Sequence, residues 1–323
     1  MSMNNIMTQP STDIDTRVPG VDHYDGIILI DKEAGRTSFD VVKDIRRILK
    51  IKKVGHAGTL DPFATGLLVI LLGQGTKLFS YIMCGGKKYC ATMRLGVETD
   101  THDLSGHIVQ VKPVPKLDHG YIEEKASEFI GDIEQAPPIF SAVRYRGERA
   151  YKFARKGIKV EIKKRRVKIH DLKITSLDLP EVTMEISCSS GTYIRSLAAD
   201  LGEKLGTGAH LKALRRLSNG PFKVQNALDP EHLRISGSNH LLRDRIIPLR
   251  EALPDMVETH LDAKMALKIR HGYQPAFDEV FSNAHSHEGV MKLVKGKELV
   301  AMANVSHPKS DRGGRLKIVR VFI

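Results

Sequence analysis

Gly55-His56-Ala57-Gly58-Thr59-Leu60-Asp61-Pro62-Phe63-Ala64-Thr65-Gly66, running directly into Leu67-Leu68-Val69-Ile70-Leu71-Leu72, is the stretch that decides how this chain folds. Gly55, Gly58 and Gly66 admit positive φ and the close approach of another chain, while Pro62 removes a backbone donor and restricts Asp61 to extended geometry. The first part is therefore a shaped loop. The unbroken apolar run that follows reads as a buried strand, so the loop is anchored to the core at its C-terminal end. A carboxylate on a loop held by a rigid element suits chemistry. An Asp-Pro turn whose carboxylate bonds its own backbone is the competing reading of Asp61.

Working outward, Gly26-Ile27-Ile28-Leu29-Ile30-Asp31 reads as a second buried strand, and Thr37-Ser38-Phe39-Asp40 opens a helix with Val42, Ile45 and Leu49 on one face. Thr76 to Met83 is expected to be a short helix, and Lys88 to Leu95 a strand. Asp118 caps a helix expected to end near Gly131, with Ile122, Phe129 and Ile130 inward. Two strands, 166–175 and 182–188, precede Ser190-Gly191-Thr192-Tyr193-Ile194-Arg195 and a helix carrying Ile194, Leu197, Leu201 and Leu205 on one face. An arginine in the first turn of a helix opposes the helix dipole, so an acidic partner from elsewhere in the fold would explain Arg195. Ala209 to Leu217 reads as a strand with one polar face. A boundary falls near Pro248; beyond it lie a helix, Asp262 to His271, and strands at 289–294, 298–304 and 315–322, a small β-rich module.

Composition narrows the function classes. The 323 residues carry 50 basic against 38 acidic side chains, a formal charge of +12, which favours a polyanionic partner, nucleic acid before membrane. Between Arg144 and Lys168 the charge is concentrated: Arg144, Arg146, Arg149, Lys152, Arg155 and Lys156 lead a run interleaved with Tyr145, Tyr151 and Phe153. Cations for phosphates with aromatics for unstacked bases make an RNA-binding surface, and a solvated charged hairpin is the rival. Apolar runs are short and bounded by charge, so no membrane span is expected. Met1 to Gly20 is polar and lacks the apolar core of a signal peptide, so it reads as a disordered extension. Cys84, Cys90 and Cys188 are odd in number and unpaired by spacing, against both a disulfide framework and a zinc site, and imply a reducing cytoplasm. His285 and His287 read as solvated residues, and no metal is expected.

These pieces together resemble the TruB family of tRNA pseudouridine-55 synthases from Gly26 to the C-terminus. The resemblance rests on Gly26 to Lys32, the Gly55–Leu68 loop, Lys88-Tyr89, Arg94-Leu95-Gly96 with Thr99-Asp100-Thr101-His102-Asp103, Pro137-Pro138 with Ser141-Ala142, and Gly191-Thr192-Tyr193-Ile194-Arg195. The Tyr145–Gly157 segment is similar to the bacterial form rather than to the guide-RNA-dependent branch. By resemblance, Asp61 is the catalytic nucleophile, Tyr89 the aromatic partner of the flipped uracil and Arg195 the ion-pair partner of Asp61. His56 would fill the space the flipped base leaves, Tyr193 and Leu214 would line the base pocket, and Asp103 and Lys32 count among the substrate-binding residues, Asp103 by bonding loop nucleotides. The resemblance further implies an α+β pseudouridine synthase fold, a mixed, largely antiparallel sheet flanked by helices, over residues 24–247 after an extension at 1–23. An RNA-gripping insertion would occupy about 137–168, and a PUA-like β-barrel 248–323. It implies a cytoplasmic monomer that acts on the tRNA T-arm with no cofactor and no obligatory protein partner. A tRNA-folding protein with secondary catalysis and a guide-dependent synthase on ribosomal RNA are the alternatives. Residue types are compatible with Asp61 adding to base or sugar or removing a sugar proton, and with Tyr89 as base or as stacking surface. One departure stands out: Glu33 follows Asp31-Lys32 where the family commonly has proline. Ala57 and Phe63 also stand where the family often shows Thr and Leu.

Overall fold

Six consecutive apolar residues cannot satisfy a one-faced strand, and in the computed structural model Leu67 to Leu72 form the body of a strand buried on both faces, β3 (Thr65–Leu72). The structure describes residues 24–140, 144–145, 147–149, 153, 158, 162–234, 239–281, 287–307 and 314–323; Met1 to Gly20 and His285 lie outside them. β1 (Gly26–Lys32) runs antiparallel along one edge of β3, from Gly26 opposite Leu72 to Lys32 opposite Gly66. The other edge of β3 is shared. β2 (Val54–Ala57) takes its far half, and β12 (Ala209–Asn219) runs parallel to its near end, Arg215 opposite Thr65 and Arg216 opposite Gly66. The Asp61 loop leaves β2 at the fork between these two neighbours. Gly66, at φ +98°, sits so near β12 that a Cβ would lie 2.4 Å from the Arg216 carbonyl oxygen.

From β12 the sheet continues antiparallel through β4 (Lys87–Leu95), β11 (Glu181–Cys188), β10 (Arg165–Asp178) and β7 (Gly131–Gln135), while β14 (Ile247–Pro248) closes the far side on β1 and β13 (Phe222–Lys223) pairs with the end of β12. The architecture is α+β, with one parallel contact in an otherwise antiparallel sheet. Helix α1 (Ser38–Leu49) begins at the expected Thr37, whose hydroxyl accepts from the Asp40 amide while the Asp40 carboxylate accepts from the Thr37 amide. It buries Val41, Val42, Ile45 and Leu49 on β1 and β3. Helix α4 (Ile194–Lys204) buries Ile194, Leu197 and Leu201 among the core side chains of β4, β11 and β12.

Some expectations change. The segment expected as a helix from Thr76 is a 3-10 turn, Gly73–Leu78, followed by the short α2 (Phe79–Met83). Helix α3 (His119–Ser127), capped by Asp118, ends before Gly131, and Gly131 opens β7. Ile130, expected inward, is exposed. β7 is a short edge strand with two exposed acids, and edges carry charge in this way. Two short ladders stand beside the main sheet: β5 (Val97–Thr99) with β6 (Ile108–Val111), and β8 (Arg144–Tyr145) with β9 (Glu148–Arg149).

Past Pro248, β15 (Glu258–His260), β16 (Gly289–Lys295), β17 (Glu298–Ser306) and β18 (Arg315–Val321) form a separate sheet in that order, beside helix α6 (Ala263–Arg270); the small helix α5 (Asn239–Arg243) precedes the boundary. Among the described residues this sheet has four strands and does not close into a barrel. It is joined to the larger sheet by apolar contact: Val294, Leu299, Met302 and Phe322 share one buried cluster with Leu67, Val69 and Leu71. Lys77 Nζ donates to the Val321 carbonyl at 2.5 Å across the same junction. Among the described residues no helix is long and apolar enough to cross a membrane.

Candidate active site

The loop that carries Asp61 is gripped from four directions. Asp61 to Ala64 is a turn with Pro62 at its second position, closed by the Ala64 amide donating to the Asp61 carbonyl at 3.1 Å. Behind it, Ser38 at the start of α1 both donates to the Leu60 carbonyl at 3.2 Å and accepts from the Leu60 amide at 2.9 Å. The end of β1 and the turn after it supply two donors to the Pro62 carbonyl, Lys32 Nζ at 3.2 Å and the Gly35 amide at 2.8 Å. From β12, Arg216 donates to the Gly58 carbonyl at 2.9 Å and Asn219 to that of Ala57 at 3.3 Å. A backbone fixed at so many points leaves one side chain free to point outward.

That side chain meets an arginine. Arg195 Nε lies 3.0 Å from Asp61 Oδ2 and Nη2 3.4 Å from Oδ1, a forked pairing. The turn reading thus holds for the backbone, while the carboxylate engages a partner 134 residues away in sequence. The same guanidinium serves a second carboxylate: Nη1 is 3.0 Å from Asp103 Oδ2 and donates to the Thr101 carbonyl at 3.0 Å, while Nη2 donates to the Phe140 carbonyl at 2.9 Å. Arg195 sits on the second residue after Tyr193, the residue preceding α4, and its position is fixed by β7. Gln135, 1% exposed, accepts from the Tyr193 amide at 2.7 Å and donates to the Tyr193 carbonyl at 2.9 Å, and Ser196 donates to the Ala136 carbonyl.

Burial pushes the Asp61 carboxyl above the usual aspartate range, Arg195 pulls it back, Asp103 pushes it up again and Lys32 lowers it. A third of the Asp61 side chain, 34%, stays open to solvent, against 6% for Arg195 and 4% for Asp103, so water moderates the burial effect. The site therefore has one accessible carboxylate held on a buried ion pair.

Tyr89 on β4 and Leu214 on β12 share the sheet face toward this loop and pack in one buried cluster with Leu60 and Ala64. Burial raises the Tyr89 phenol above its ordinary range, with Arg216 opposing. Tyr193 is half-buried at the head of α4. His56, half-buried on β2, has a buried Nδ1 without a hydrogen-bond partner among the described residues, and burial followed by Arg216 depresses its basicity, which favours the neutral imidazole.

Two expected substrate-binding residues are placed differently. Asp103 does not face outward: 3% exposed, it spends Oδ2 on Arg195 and Oδ1 on the Thr101 hydroxyl at 2.8 Å and the Ser105 amide at 2.9 Å. Lys32, 1% exposed, donates to the carbonyls of Glu33, Arg36 and Pro62, and burial lowers its ammonium to about 8. Both are built into the support of the site rather than its open face. Glu33, the departure from the familial proline, accepts from Arg234, so an ion pair stands where a ring would stiffen the turn. Of the expected backbone-binding residues, Arg144 and Arg149 are described as partners in the β8–β9 ladder; Arg146, Lys152, Arg155 and Lys156 lie outside the described residues.

Sequence reasoning missed Arg216 and Gln135. Arg216 was detectable: on a strand of period two it must share a face with Leu214, which the family resemblance places at the base pocket. Among the described residues no cluster of three His, Cys, Asp or Glu side chains is gathered as for a metal, and Cys84, Cys90 and Cys188 are free. A cleft of about 440 Å³ lined by Asn226, Asp229, His232 and Asp244 includes none of these site residues.

Comparison with known proteins gives this geometry its class. Residues 46–194 match the TruB family pseudouridylate synthase N-terminal domain, and residues 195–254 the tRNA pseudouridylate synthase B C-terminal domain. The tRNA pseudouridine synthase B of Geobacter sulfurreducens is 40% identical over 304 residues, covering 92% of this chain and 99% of the relative. That of Clostridium kluyveri is 37% identical, covering 93% and 100%. The fold is shared with the archaeal box H/ACA sRNP Nop10–Cbf5 complex, at a TM-score of 0.70, 24% identity, and coverage of 96% of this chain and 89% of that one. The larger sheet is thus a pseudouridine synthase fold. The chain belongs to the TruB family of pseudouridylate synthases.

Proposed function

We propose that this protein converts the T-loop uridine at position 55 of tRNA to pseudouridine, with Asp61 as nucleophile. The observation that carries the reading is the Asp61 carboxylate, partly open to solvent, on a loop pinned at four sides and paired with a buried Arg195. The reaction breaks the bond from C1′ to N1 of uracil, turns the base and joins C1′ to C5; N1 gains a proton and C5 loses one, so the balance closes without oxidant, reductant or co-substrate. A base inside a stack cannot be reached, so the uridine leaves the RNA loop for the space bounded by Tyr89, Leu214 and Tyr193. His56, half-buried and favoured as the neutral imidazole, is suited to fill the gap it leaves. Arg195 keeps Asp61 ionised against burial, and Asp103 keeps Arg195 in place.

Residues 24–247 act as the catalytic domain and 248–323 as a PUA-like RNA-binding module, a reading supported by exposed Lys264, Lys268, Lys295, Lys297, Arg315, Lys317 and Arg320 on the C-terminal sheet and its helix. The basic run 144–168 grips the RNA backbone. The protein works in the cytoplasm as a monomer, without a guide RNA or protein partner. The test is incubation of the pure protein with an unmodified T-arm hairpin, followed by pseudouridine mapping: one modified uridine, in the loop, is expected, and an unmodified transcript would reject the assignment.

A further inference from the structure

Tyr193 precedes helix α4 at the position where a Ser, Thr, Asn or Asp would ordinarily cap it. Its backbone is extended, at φ −100° and ψ 106°, and among the described residues its side chain bonds no amide of the first turn. The head of the helix is held from outside instead. Gln135, the last residue of β7 and 1% exposed, accepts from the Tyr193 amide at 2.7 Å and donates to the Tyr193 carbonyl at 2.9 Å, so one planar group grips both polar groups of that residue's backbone. The residues after it add to the grip: the Ala136 carbonyl accepts from Ser196 at 2.8 Å and the Phe140 carbonyl from Arg195 Nη2 at 2.9 Å. Between them Pro137 and Pro138 are buried, and a proline fixes its own φ and restricts the residue before it. Residues 135 to 140 thus form a stiff brace against the first turn of α4, the turn that carries Arg195 toward Asp61.

We propose that Gln135 is a positioning residue for the reaction: by fixing the Tyr193 backbone it sets the direction in which Arg195 leaves α4, and so the pairing of Arg195 with the Asp61 carboxylate. The inference rests on the proposed uridine isomerisation and deepens it. The contact needs an acceptor facing an amide and a donor facing a carbonyl, at the two ends of one planar group, and a carboxamide carries both. Methionine matches the length of glutamine and offers no such donor. Glutamate matches the size, but its ionised form presents two acceptors, one of them against the Tyr193 carbonyl, and only the protonated form can donate there. Burial at this position favours that protonated form.

Single-turnover rates on a T-arm hairpin test this for Q135E, Q135M, R195K and Q135M/R195K, read below the melting transition of each variant and relative to wild type at each pH, together with RNA affinity. At neutral pH Q135E is expected to react at least about tenfold more slowly than wild type with unchanged RNA affinity, and its deficit to shrink as acidification protonates the introduced carboxyl. Q135M should be slow at every pH. Q135M/R195K should be no slower than the slower of its two single variants, because Gln135 acts through Arg195. A Q135E deficit that acid does not relieve, rate losses that multiply in the double variant, a loss of RNA affinity, or Q135E and Q135M at the wild-type rate would each overturn the proposal. Should Q135M fail to fold, the pH behaviour of Q135E still decides. A wild-type protein that forms no pseudouridine in the same assay would count against the proposed function instead.

Discussion

Two buried arginines reach the Asp61 loop from opposite sides, and they are satisfied in opposite ways. Arg195, at the start of α4, is closed between two carboxylates, Asp61 and Asp103, and its remaining donors go to the Thr101 and Phe140 carbonyls. Arg216, on β12, has the backbone carbonyls of Leu67 and Gly58. The Arg195 side is an ion network whose open member is the proposed nucleophile, whereas the Arg216 side is a clamp on the backbone behind it. Charge is thus used twice within one site, once to set the ionisation of a carboxylate and once to hold geometry.

The comparison can be broken most severely on the Arg195 side. Arg195→Met leaves Asp61 and Asp103 facing each other without their cation, so a loss of about 3–5 kcal/mol in stability and about 10²–10³-fold in rate is expected, read by denaturant unfolding and single-turnover kinetics. A variant with wild-type kinetics would dissolve the network. Asp103→Asn is milder and more informative: it should slow the reaction by about tenfold through a loosened Arg195, with RNA affinity unchanged. If affinity falls instead, Asp103 meets RNA after all.

The pH profile sharpens the same point. Because burial and Asp103 raise the Asp61 carboxyl above its ordinary value of 3.8, and the proposed nucleophile is the ionised form, the wild-type rate should fall with acidification at a pH above that value. Removing the Asp103 charge lowers Asp61, so the acid limb of Asp103→Asn should move to lower pH. A limb that stays put would separate the two carboxylates. On the supporting side, Lys32→Met strands three carbonyls and should lower stability by about 1–3 kcal/mol, partly offset by relief of a buried ammonium. Smallest of all, Glu33→Pro exchanges a partly exposed ion pair to Arg234 for a stiffer turn, and a change within about 1 kcal/mol is expected in a melting experiment.

How much of this was legible in the sequence follows from what each signal is made of. The strands at 26–32 and 65–72 are continuous apolar runs, and the helix at Thr37 has a capping box, so local chemistry announces both. Arg195 was legible as an arginine at the wrong end of a helix dipole, and its acid partner is present. The second carboxylate was not, because nothing local in Thr99 to Asp103 tells a residue facing RNA from one folded inward onto a guanidinium. Arg216 was hidden by its neighbour: Arg215 pairs with Asp31 on the other face at 3.0 Å, and two adjacent arginines look like surface until the period of the strand is applied. β7 escaped because its alternation is short and its exposed positions are charged, as an edge requires.

The central claim is that the Asp61 carboxylate does the chemistry while the rest of the site holds and shapes it. Asp61→Asn keeps the size of that side chain and one of the two oxygens that accept from Arg195, and removes its charge. With an unmodified T-arm hairpin, the account predicts that Asp61→Asn binds RNA with wild-type affinity and forms no pseudouridine at single turnover; pseudouridine formed at a rate comparable to wild type would contradict it.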